Sequence, residues 1–529
     1  MYQLAEQRLK ALAEISDKTI LTQSLIGLEK ETLRVTPEGG LSQSPHPSGL
    51  GAALTHPHIT TDYSEALLEI VTPALNDIPA VLKFLENTQQ FIYSQLDEEL
   101  LWATSMPCVV AGETSIPLAR YGTSNAGLMK TVYRRGLGLR YGRVMQVIAG
   151  VHFNYSFAEN FWPVFFDITK QKVTGTQQQQ ASESYFSLLR NLQRFGWLIP
   201  YLFGASPAVC KSFLQGKETT LSEFNKTTYY EPFATSLRMG DIGYQNNKES
   251  EVGVVADYNS LNKYISSLQH AIETPCPEYQ KFGIEVNGVY QQLNANILQI
   301  ENEYYSTVRP KQIPNKYEMP IEALRSRGVR YVELRSLDVN AFHPLGINEE
   351  QMYFLQTFML FCLSHNSPPI DMTEHNEIDS NEMLAAHQGR DPSLLLSRNG
   401  KAISIKNWGG EILEVMQGYA ELLDEASNSK HYSASLAKQK VAIDNPDCTP
   451  SARMLDEMSQ KGEGFYQFAM RMSQQHHTAF IEKELSPEEF SFYQNLTGSS
   501  LERQKQIEAS DSLPFATFLE RYFNKSLSE

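Results

Sequence analysis

The sequence predicts an α+β fold, in which antiparallel strands occupy the early and middle parts of the chain and helices gather towards its end. Short strand-like runs alternate with turns between residues 25 and 72, and strand patterns recur at 147–157 and 330–339. From about residue 348 onward the pattern is mostly helical. The regular alternation of strand and helix that marks a doubly wound sheet is missing, which argues against that class.

Three segments in the first part of the chain have the character of helices, and we expect helices at 1–20, 76–101 and 125–140. Ser124 or Asn125 is a suitable N-cap for the third of them. The polar, low-complexity stretch TGTQQQQASES at 174–184 predicts a loop, which is followed by helix to about residue 197. Pro487 within SPEE is typical of the first turn of a further helix.

Composition and charge exclude several classes of protein. The chain has 529 residues, of which 41% are hydrophobic and 11% aromatic, so a large core can form. A formal net charge of −16 argues against nucleic acid or an anionic membrane as the main partner. The longest apolar run, MYFLQTFMLFCL at 352–363, is too short to span a membrane.

The cysteines are few, odd in number and widely spaced: Cys108, Cys210, Cys276, Cys362 and Cys448. Since the sequence contains no CxxC pair, we predict neither a zinc knuckle nor a disulfide framework. The N-terminal segment MYQLAEQRLKALAEIS carries charges throughout and does not have the pattern of a secretion signal. We therefore expect a reduced protein located in the cytoplasm.

The segment GLEKETLR at residues 27–34 places two carboxylates two positions apart. In a helix Glu29 and Glu31 would point to nearly opposite sides, whereas in a strand they share a face. The β-branched residues Thr32 and Val35 and the turn residues that follow favour the strand. Two carboxylates on one face repel each other unless a cation lies between them. A solvated sheet face would also explain the pair, and from this segment alone it is the simpler interpretation.

Three other strand-like segments offer residues that can bind ligands. Glu69 lies within ALLEIVT, where a carboxylate needs a partner or a metal; an edge strand with one exposed position is the alternative. In RYVELRSLDV, Glu333 and Arg335 share a face, so they can contact one bound ligand or pair with each other on a solvated surface. A lone histidine in a strand, such as His152 in GVHFN, is more often a hydrogen-bonded structural residue than a ligand.

Positive charge is concentrated in KTVYRRGLGLRYGR at 130–143. Phosphate binding is one use for such a cluster, and pairing with the many surface acids is the other. The sequence has no P-loop, no GxGxxG, no HExxH and no matched GxSxG motif, so a bound nucleotide would depend on carboxylate-held Mg²⁺. The segment QIENEYY at 299–305 would align its acidic residues if extended but not if helical, and its pattern leaves both possibilities open.

Long motifs in this sequence resemble those of the proteobacterial glutamate–cysteine ligases, also called γ-glutamylcysteine synthetases. They include GLEKETLRV, LTHPHITTDYSEALLEIVTP, YGTSNAGLMKTVYRRGL, FGWLIPYLFGASPAVC, FATSLRMGDIGY and YVELRSLDVN. The similarity runs in register from about residue 20 to 350 and weakens beyond it. Because that family belongs to the carboxylate–amine ligases, the resemblance implies a curved antiparallel sheet that forms a funnel, similar to that of glutamine synthetase, with surrounding helices. It also implies one catalytic domain over 1–529, in which 1–348 carries the site motifs and the mostly helical 349–529 packs on it.

The resemblance also implies roles for individual residues. The metal ligands that it implies are Glu29, Glu31, Asp62, Glu69, Glu333 and His152. Arg134 and Arg335 match arginines that contact the transferred phosphate and the glutamate. The cysteine pocket that it implies comprises Tyr63, Tyr133, Arg238, Tyr244 and Tyr305. Two positions depart from the family pattern: Lys30 replaces an arginine that should face away from the metals, and Tyr63 replaces a phenylalanine beside the cysteine pocket.

The reaction implied by the resemblance is the ATP-dependent ligation of the L-glutamate γ-carboxylate to the amine of L-cysteine, the first step of glutathione biosynthesis. The cofactors implied are ATP and Mg²⁺, with Mn²⁺ as an alternative. The partners are small-molecule substrates, with no nucleic acid and no membrane, and with a monomer as one option. The rival functions are a γ-glutamyl ligase for another amine such as a polyamine, a phosphotransferase, and a non-catalytic nucleotide sensor, which the full set of acidic residues and arginines disfavours.

Overall fold

Antiparallel strands form the centre of the protein, which a computed structural model describes over residues 2–170, 175–243 and 255–527. The strands are β1 (Leu25–Val35), β2 (Ile59–Thr61), β3 (Leu67–Val71), β4 (Leu100–Leu101), β5 (Gly150–Ser156), β6 (Ala208–Cys210), β7 (Ser222–Asn225), β8 (Thr228–Tyr230), β9 (Glu285–Val286), β10 (Val289–Tyr290), β11 (Val308–Lys311), β12 (Tyr331–Asp338), β13 (Leu395–Arg398) and β14 (Lys401–Ser404).

Seven of these strands make the main sheet, in the order β11-β12-β5-β1-β3-β2, with β4 paired to the end of β1. Every pair in it is antiparallel. The longest strand, β1, is hydrogen-bonded to β5 along one edge and to β3 along the other, and most of its residues are buried. An irregularity in the β12–β5 register between Leu334 and Leu337 bends the sheet locally.

Helices surround the sheet. They are α1 (Gln3–Ala13), α2 (Ile78–Gln95), α3 (Asn125–Tyr141), α4 (Phe161–Ile168), α5 (Gln177–Arg194), α6 (Leu198–Phe203), α7 (Lys211–Leu214), α8 (Leu261–Glu273), α9 (Pro277–Gln280), α10 (Pro320–Arg327), α11 (Glu349–Ser364), α12 (Met372–Gln388), α13 (Ile405–Ser427), α14 (His431–Asp444), α15 (Pro450–Lys461), α16 (Phe465–Ile481), α17 (Pro487–Ser510) and α18 (Phe515–Phe523). None of the described helices is both long and apolar enough to span a membrane.

The fold class predicted from the sequence is confirmed: an unclosed antiparallel sheet lies among many helices, and the last third of the described chain is mostly helical. Helix α3 begins where its cap was expected, because the side chain of Ser124 accepts a hydrogen bond from the amide of Gly127. Helix α17 begins at Pro487, with Ser486 and Glu489 forming a capping box.

Helices from the end of the chain pack on elements from its beginning. The ring of Tyr493 in α17 stacks on Phe91 of α2 at 5.0 Å between centroids, and its hydroxyl lies 2.9 Å from Thr88 Oγ1. The side-chain amide of Asn125, at the start of α3, donates to the carbonyl of Leu513, just before α18. The C-terminal helices are therefore attached to the half of the chain that carries the sheet.

Several local expectations were wrong. The polar stretch after Gly175 is not a loop, since α5 begins at Gln177 with a capping box between Thr176 and Gln179. The expected helices at 1–20 and 76–101 are shorter, because α1 ends at Ala13 and is followed by a 3₁₀ helix, and α2 ends before β4. In both cases the apolar residues beyond the end of the helix are buried by other elements, so the spacing of these residues does not indicate a helix.

The expectation that the cysteines form no disulfide is also wrong. Cys108 and Cys210 are bonded to each other, with their Cα atoms 5.6 Å apart and a sequence separation of 102. Spacing along the chain carries no signal for such a pair, because the tertiary structure alone brings the two residues together. Cys276 and Cys362 are buried free thiols, and Cys448 is exposed.

Candidate active site

One face of the main sheet forms the floor of a cavity of about 530 Å³. Strands β1, β3, β5, β11 and β12 contribute side chains to it, and α3, α18 and the chain around residue 302 form its walls. Six of the residues with predicted metal-binding roles line this cavity: Glu29, Glu31, Asp62, Glu69, His152 and Glu333. Strand alternation explains their convergence, because side chains two positions apart in β1 and opposite positions in its neighbours all point to the same face.

Glu29 is held by the strand next to its own. It lies directly opposite His152 in the β1–β5 register, and its Oε2 is 3.1 Å from His152 Nδ1. Its other oxygen accepts a hydrogen bond of 2.9 Å from the side-chain amide of Asn154. Burial and the nearby Glu333 carboxylate oppose ionisation of Glu29, but the hydrogen bond and charge of His152 outweigh them, so the pKa of Glu29 is lowered. The anionic form of Glu29 is thus favoured.

Glu31 and Glu69 occupy opposite positions in the β1–β3 register. The Oε2 atom of Glu31 accepts a hydrogen bond of 2.7 Å from the amide of Gly150, and burial raises the pKa of its carboxyl. Burial, together with the carboxylates of Glu29, Asp62 and Glu31, raises the pKa of Glu69 well above its usual value. The concentration of acids therefore needs either protons or a cation to be stable.

Glu333 and Arg335 share a face of β12, as their spacing predicted. Arg335 Nη1 lies 3.0 Å from Glu333 Oε1, and Lys311 Nζ lies 3.4 Å from the other oxygen. Burial opposes the charge of Glu333, but the charges of Lys311, Arg335 and His152 hold its pKa well below its usual value. Glu333 is therefore ionised, and Arg335, which also lines the cavity, is held beside it.

Arg134 reaches the cavity from α3. Its Nη2 lies 3.1 Å from Asp62 Oδ1, and its Nε donates to the Asp62 carbonyl. The guanidinium also lies over the ring of Tyr121, 4.7 Å from its centroid. Arg134 is thus fixed in position beside the acidic cluster, which the expected role at a phosphate group would require.

The donor set fits a small divalent cation. Oxygen or nitrogen atoms of Glu29, His152 and Glu333 all lie within 4.8 Å of one another among the described residues. Glu31, Glu69 and Asp62 line the same cavity, so carboxylate oxygens, the ligands preferred by Mg²⁺ and Mn²⁺, predominate. The raised pKa of Glu69 points the same way, since a cation would relieve the repulsion that causes it.

The residues predicted for the cysteine pocket are distributed differently. Tyr133 and Tyr305 line the cavity. Arg238 lies behind its wall: the side chain is 1% exposed, donates to the carbonyl of Arg335, and has Nη1 3.6 Å from Asp338. Tyr63 is also buried and packs beneath Gly138 of α3. Tyr244 lies outside the described residues. Direct contact of Arg238, Tyr63 and Tyr244 with cysteine stays a prediction.

Sequence reasoning missed several residues of the cavity. Arg309 and Lys311 add positive charge to its walls, and Phe518 and Tyr522 of α18 contribute aromatic rings from the far end of the chain. Lys130, by contrast, belongs to the basic segment at 130–143 that the sequence analysis singled out, and it lines the cavity one helical turn before Arg134. No local pattern marks Phe518 and Tyr522, because only the packing of α18 against α3 brings them to the site.

A second cavity, of about 270 Å³, is lined by Phe195, His365, Trp408 and two arginines that are already paired with glutamates. It is separate from the acidic cluster, and none of the predicted site residues lines it. We therefore assign the chemistry to the larger cavity.

Comparisons with known proteins identify relatives of the whole chain. Residues 9–384 match the family described as glutamate-cysteine ligase. The chain is 45% identical over 527 residues to a glutamate–cysteine ligase of Alcanivorax borkumensis, with 98% of this chain and 99% of the relative covered. It is 46% identical over 522 residues to one of Pseudomonas putida, with 99% of this chain and 98% of the relative covered.

Two solved structures are similar over most of the chain. A crystal structure of glutamate–cysteine ligase from Francisella tularensis in complex with AMP has a TM-score of 0.88 and 34% identity, with 95% of this chain and 98% of that chain covered. A bifunctional glutathione synthetase from Pasteurella multocida has a TM-score of 0.73 and 22% identity, with 91% of this chain and 57% of that chain covered. The second likeness concerns the fold alone.

Proposed function

Because the chain belongs to the glutamate–cysteine ligase family, we infer that it joins the γ-carboxylate of L-glutamate to the amine of L-cysteine at the expense of ATP. The products are γ-glutamylcysteine, ADP and phosphate, and the reaction is the first step of glutathione biosynthesis. The AMP complex of the Francisella relative supports adenine nucleotide binding by this chain as well.

The chemistry requires activation of the carboxylate before the amine can react. An oxygen of the glutamate γ-carboxylate attacks the γ-phosphorus of ATP and displaces ADP, which gives γ-glutamyl phosphate. The amine of cysteine then attacks the acyl carbon, phosphate leaves with the C–O bonding electrons, and the amine loses a proton. No covalent enzyme intermediate is needed, so the chain has to bind, align and neutralise the reactants rather than supply a nucleophile.

We propose that Arg335 and Arg134 bind the transferring phosphoryl group and the glutamate. Arg335 is rigidly held by Glu333 at 3.0 Å, and Arg134 is held by Asp62 at 3.1 Å, so neither guanidinium must reorganise when charge develops. Preorganised donors of this kind stabilise a transition state more than mobile ones do. Lys130 and Lys311 line the same cavity and add to the positive potential around the phosphates.

We propose that Glu29, Glu31, Asp62, Glu69, His152 and Glu333 hold Mg²⁺ or Mn²⁺ in the floor of the cavity. When bound, the cation neutralises phosphate oxygens and brings the triphosphate close to a strongly acidic surface that would otherwise repel it. The carboxylates keep their positions without it, because Asn154, Gly150 and Lys311 hold Glu29, Glu31 and Glu333 respectively.

For the acceptor, we propose that cysteine lies between Tyr133 and Tyr305, the two members of the predicted pocket that line the cavity. Arg238 supports that wall by its hydrogen bond of 2.8 Å to the Arg335 carbonyl. We further propose that residues 1–348 and 349–529 act as one catalytic unit. A cytoplasmic location is proposed because the cytoplasm supplies the ATP.

The convergence of five carboxylates, one histidine and two fixed arginines in one cavity is the observation that carries these assignments. They are tested by incubating the protein with ATP, Mg²⁺, glutamate and an equimolar mixture of cysteine, 2-aminobutyrate and putrescine, followed by mass spectrometry of the products. We expect γ-glutamylcysteine as the main product and phosphate release that depends on an acceptor amine. A phosphorylated end product without amide formation would instead indicate a phosphotransferase.

A further inference from the structure

A fully buried ion pair lies directly behind the acceptor side of the cavity. Arg140 of α3 and Glu303 have no exposed side-chain surface, and Arg140 Nη1 is 2.8 Å from Glu303 Oε1. Arg140 is absent from the cavity lining, whereas Glu303 contributes to it. Any effect of Arg140 on substrates must therefore act through other residues.

Every nitrogen of the Arg140 guanidinium is used to fix the chain between residues 292 and 303. Nε and Nη2 both donate to the side-chain oxygen of Gln292, Nη2 also donates to the Asn294 carbonyl, and Nη1 donates to the Ile297 carbonyl, all at 2.8–3.3 Å. The guanidinium lies 4.2 Å from the ring centroid of Tyr279. One side chain thus holds an irregular segment against a helix.

Glu303 completes the connection from the other side. Its Oε1 accepts a hydrogen bond of 2.9 Å from the hydroxyl of Tyr141, and its Oε2 accepts one of 2.7 Å from the amide of Gln299. The side chain of Gln299 in turn donates to the carbonyl of Tyr133 at 3.2 Å. A Cβ atom at Gly136 would lie 2.2 Å from Gln299 Oε1, so α3 and this segment are in direct contact.

The two segments joined in this way carry the two proposed cysteine contacts. Tyr133 lies on α3, seven residues before Arg140, and Tyr305 follows Glu303 by two residues. A buried ion pair adds little net stability compared with apolar residues of the same volume, since desolvation opposes the attraction. Its fixed directions, however, specify one geometry for the groups around it.

We propose that the Arg140–Glu303 pair sets the separation of Tyr133 and Tyr305 and thereby the affinity for the acceptor amino acid. Arg140 is in this account a positioning residue for the second half of the reaction. This inference rests on the proposed function, because it presumes that an amino acid binds between the two tyrosines.

The test compares Arg140→Lys with a matched control, Arg190→Lys. Lysine retains the positive charge, but its ammonium group lacks the forked geometry of a guanidinium and cannot reach all four acceptors. Arg190 is likewise buried and ties α5 to the carbonyls of Tyr258, Asn259 and Ser367, but it does not line the cavity. For each variant, KM is measured for cysteine, glutamate and ATP, together with the melting temperature and the ratio of dipeptide formed to ATP consumed.

We expect Arg140→Lys to raise KM for cysteine roughly tenfold, on the scale of small misplacements in a site, while KM for glutamate and ATP changes less than about twofold. The ratio of dipeptide formed to ATP consumed should fall, because γ-glutamyl phosphate would persist longer before the acceptor amine reacts with it. Arg190→Lys should lower the melting temperature without moving any KM. Equal changes in all three KM values, or the same kinetics in both variants, would overturn the proposal.

A double variant, Arg140→Met with Glu303→Leu, covers the case in which Arg140→Lys does not fold, because it leaves no buried unpaired charge. It should fold and again show a raised KM for cysteine; a wild-type value would overturn the proposal. If the unmodified protein makes no γ-glutamylcysteine at all, the proposed function fails. If it does, and the variants keep the wild-type KM for cysteine, this inference alone fails.

Discussion

Glu31 and Glu69 lie directly opposite each other in the antiparallel pair β1–β3, with both side chains on the cavity face. Like charges in opposed positions destabilise a sheet, and here burial raises the pKa of both carboxyls. A fold that depended only on its own stability would not keep this pair. The arrangement lowers stability in the metal-free state, and it is the arrangement expected of a site that binds a cation and a triphosphate.

We predict that Glu69→Gln has opposite effects on stability and activity. Removal of one of two opposed carboxylates should stabilise the protein in EDTA by about 0.2–1 kcal/mol, the usual range for a cross-strand pair. Turnover should fall at least roughly 100-fold, the upper end of the loss seen when even an outer partner of a metal site is removed. Thermal unfolding in EDTA and steady-state rates at several Mg²⁺ concentrations measure both effects. Unchanged turnover at low Mg²⁺ would contradict a shared metal site.

Arg335 should matter for the chemical step more than for binding. We expect Arg335→Gln to lower kcat by roughly 10²–10³-fold, as loss of one preorganised donor does, with smaller changes in KM. Arg330→Gln is a matched control, because Arg330 lies just before the same strand but is partly exposed and pairs with Glu159 at 2.7 Å. The kinetic constants of the two variants decide the matter. Comparable losses in both would show that the effect is not specific to the cavity.

Local sequence patterns predicted which of these side chains share a face of a strand, but they left open whether that face is solvated or lines a site. The alternation in β1 placed Glu29 and Glu31 on one face, the spacing in β12 placed Glu333 beside Arg335, and a serine cap located the start of α3. These features depend on a few neighbouring residues, so a short stretch of sequence contains the required information. The specific roles, by contrast, came from similarity to a family and are still proposals.

Features that depend on distant parts of the chain could not be predicted in this way. Nothing near Cys108 indicates that Cys210 lies beside it, and nothing in α18 indicates that Phe518 reaches the cavity. The acidic segment around Glu303 forms a short 3₁₀ turn, which a seven-residue pattern could not distinguish from a strand or an α-helix. In each case tertiary packing, and not local preference, decides the outcome.

The disulfide should contribute to stability and not to chemistry. Neither Cys108 nor Cys210 lines the cavity, and the proposed reaction uses no protein thiol. We expect Cys108→Ser with Cys210→Ser to keep near-normal turnover and to lose about 2–4 kcal/mol of unfolding free energy, the typical contribution of a disulfide. Urea unfolding and steady-state assays under non-reducing conditions test this. A variant that folds fully but has no turnover would contradict it.

The acceptor should be an α-amino acid and not a diamine. Putrescine would bring a second positive charge into a cavity wall that already contains Arg309, Arg335 and Lys311, and it lacks the carboxylate that these groups could bind. Exchange of the thiol for a methyl group, as in 2-aminobutyrate, should cost only about 1–3 kcal/mol of transition-state binding. Values of kcat/KM for the three acceptors provide the measurement. Efficient ligation of putrescine would refute the cysteine assignment.

Arg238→Ala separates two roles for a residue that lies behind the cavity wall. If Arg238 supports the acceptor side through the Arg335 carbonyl, KM for cysteine should rise more than KM for glutamate or ATP. Since the substitution also leaves the carboxylate of Asp338, 3.6 Å away, without this cation, stability should fall as well. Steady-state kinetics measured below the melting temperature distinguish the two roles. Reduced stability with three unchanged KM values would leave Arg238 a purely structural role.

The protein should lose stability as the pH falls below about 6.5, and two buried histidines should account for part of the loss. Burial lowers the pKa of His56 to about 4, and its Nδ1 accepts hydrogen bonds from the amides of His58 and Ile59, so the fold requires its neutral form. Burial likewise lowers the pKa of His476 to about 4, although its Nε2 contacts the carbonyl of Ala341 at 2.8 Å.

The sign follows from proton binding. Between pH 6.5 and 4 the unfolded chain binds protons at these two histidines while the folded protein does not, so the free energy of unfolding falls as the pH is lowered, by up to about 1.4 kcal/mol for each unit of pKa depression. In His56→Asn with His476→Gln, amide groups replace the ring nitrogens but cannot titrate, so the slope of stability against pH should be smaller than in the wild type. Urea unfolding at intervals of half a pH unit compares the two slopes directly. Because both proteins contain the same carboxylates, the difference between the slopes reports the two histidines. Parallel curves over this range would contradict the assignment, because the remaining acid sensitivity would then belong to other groups.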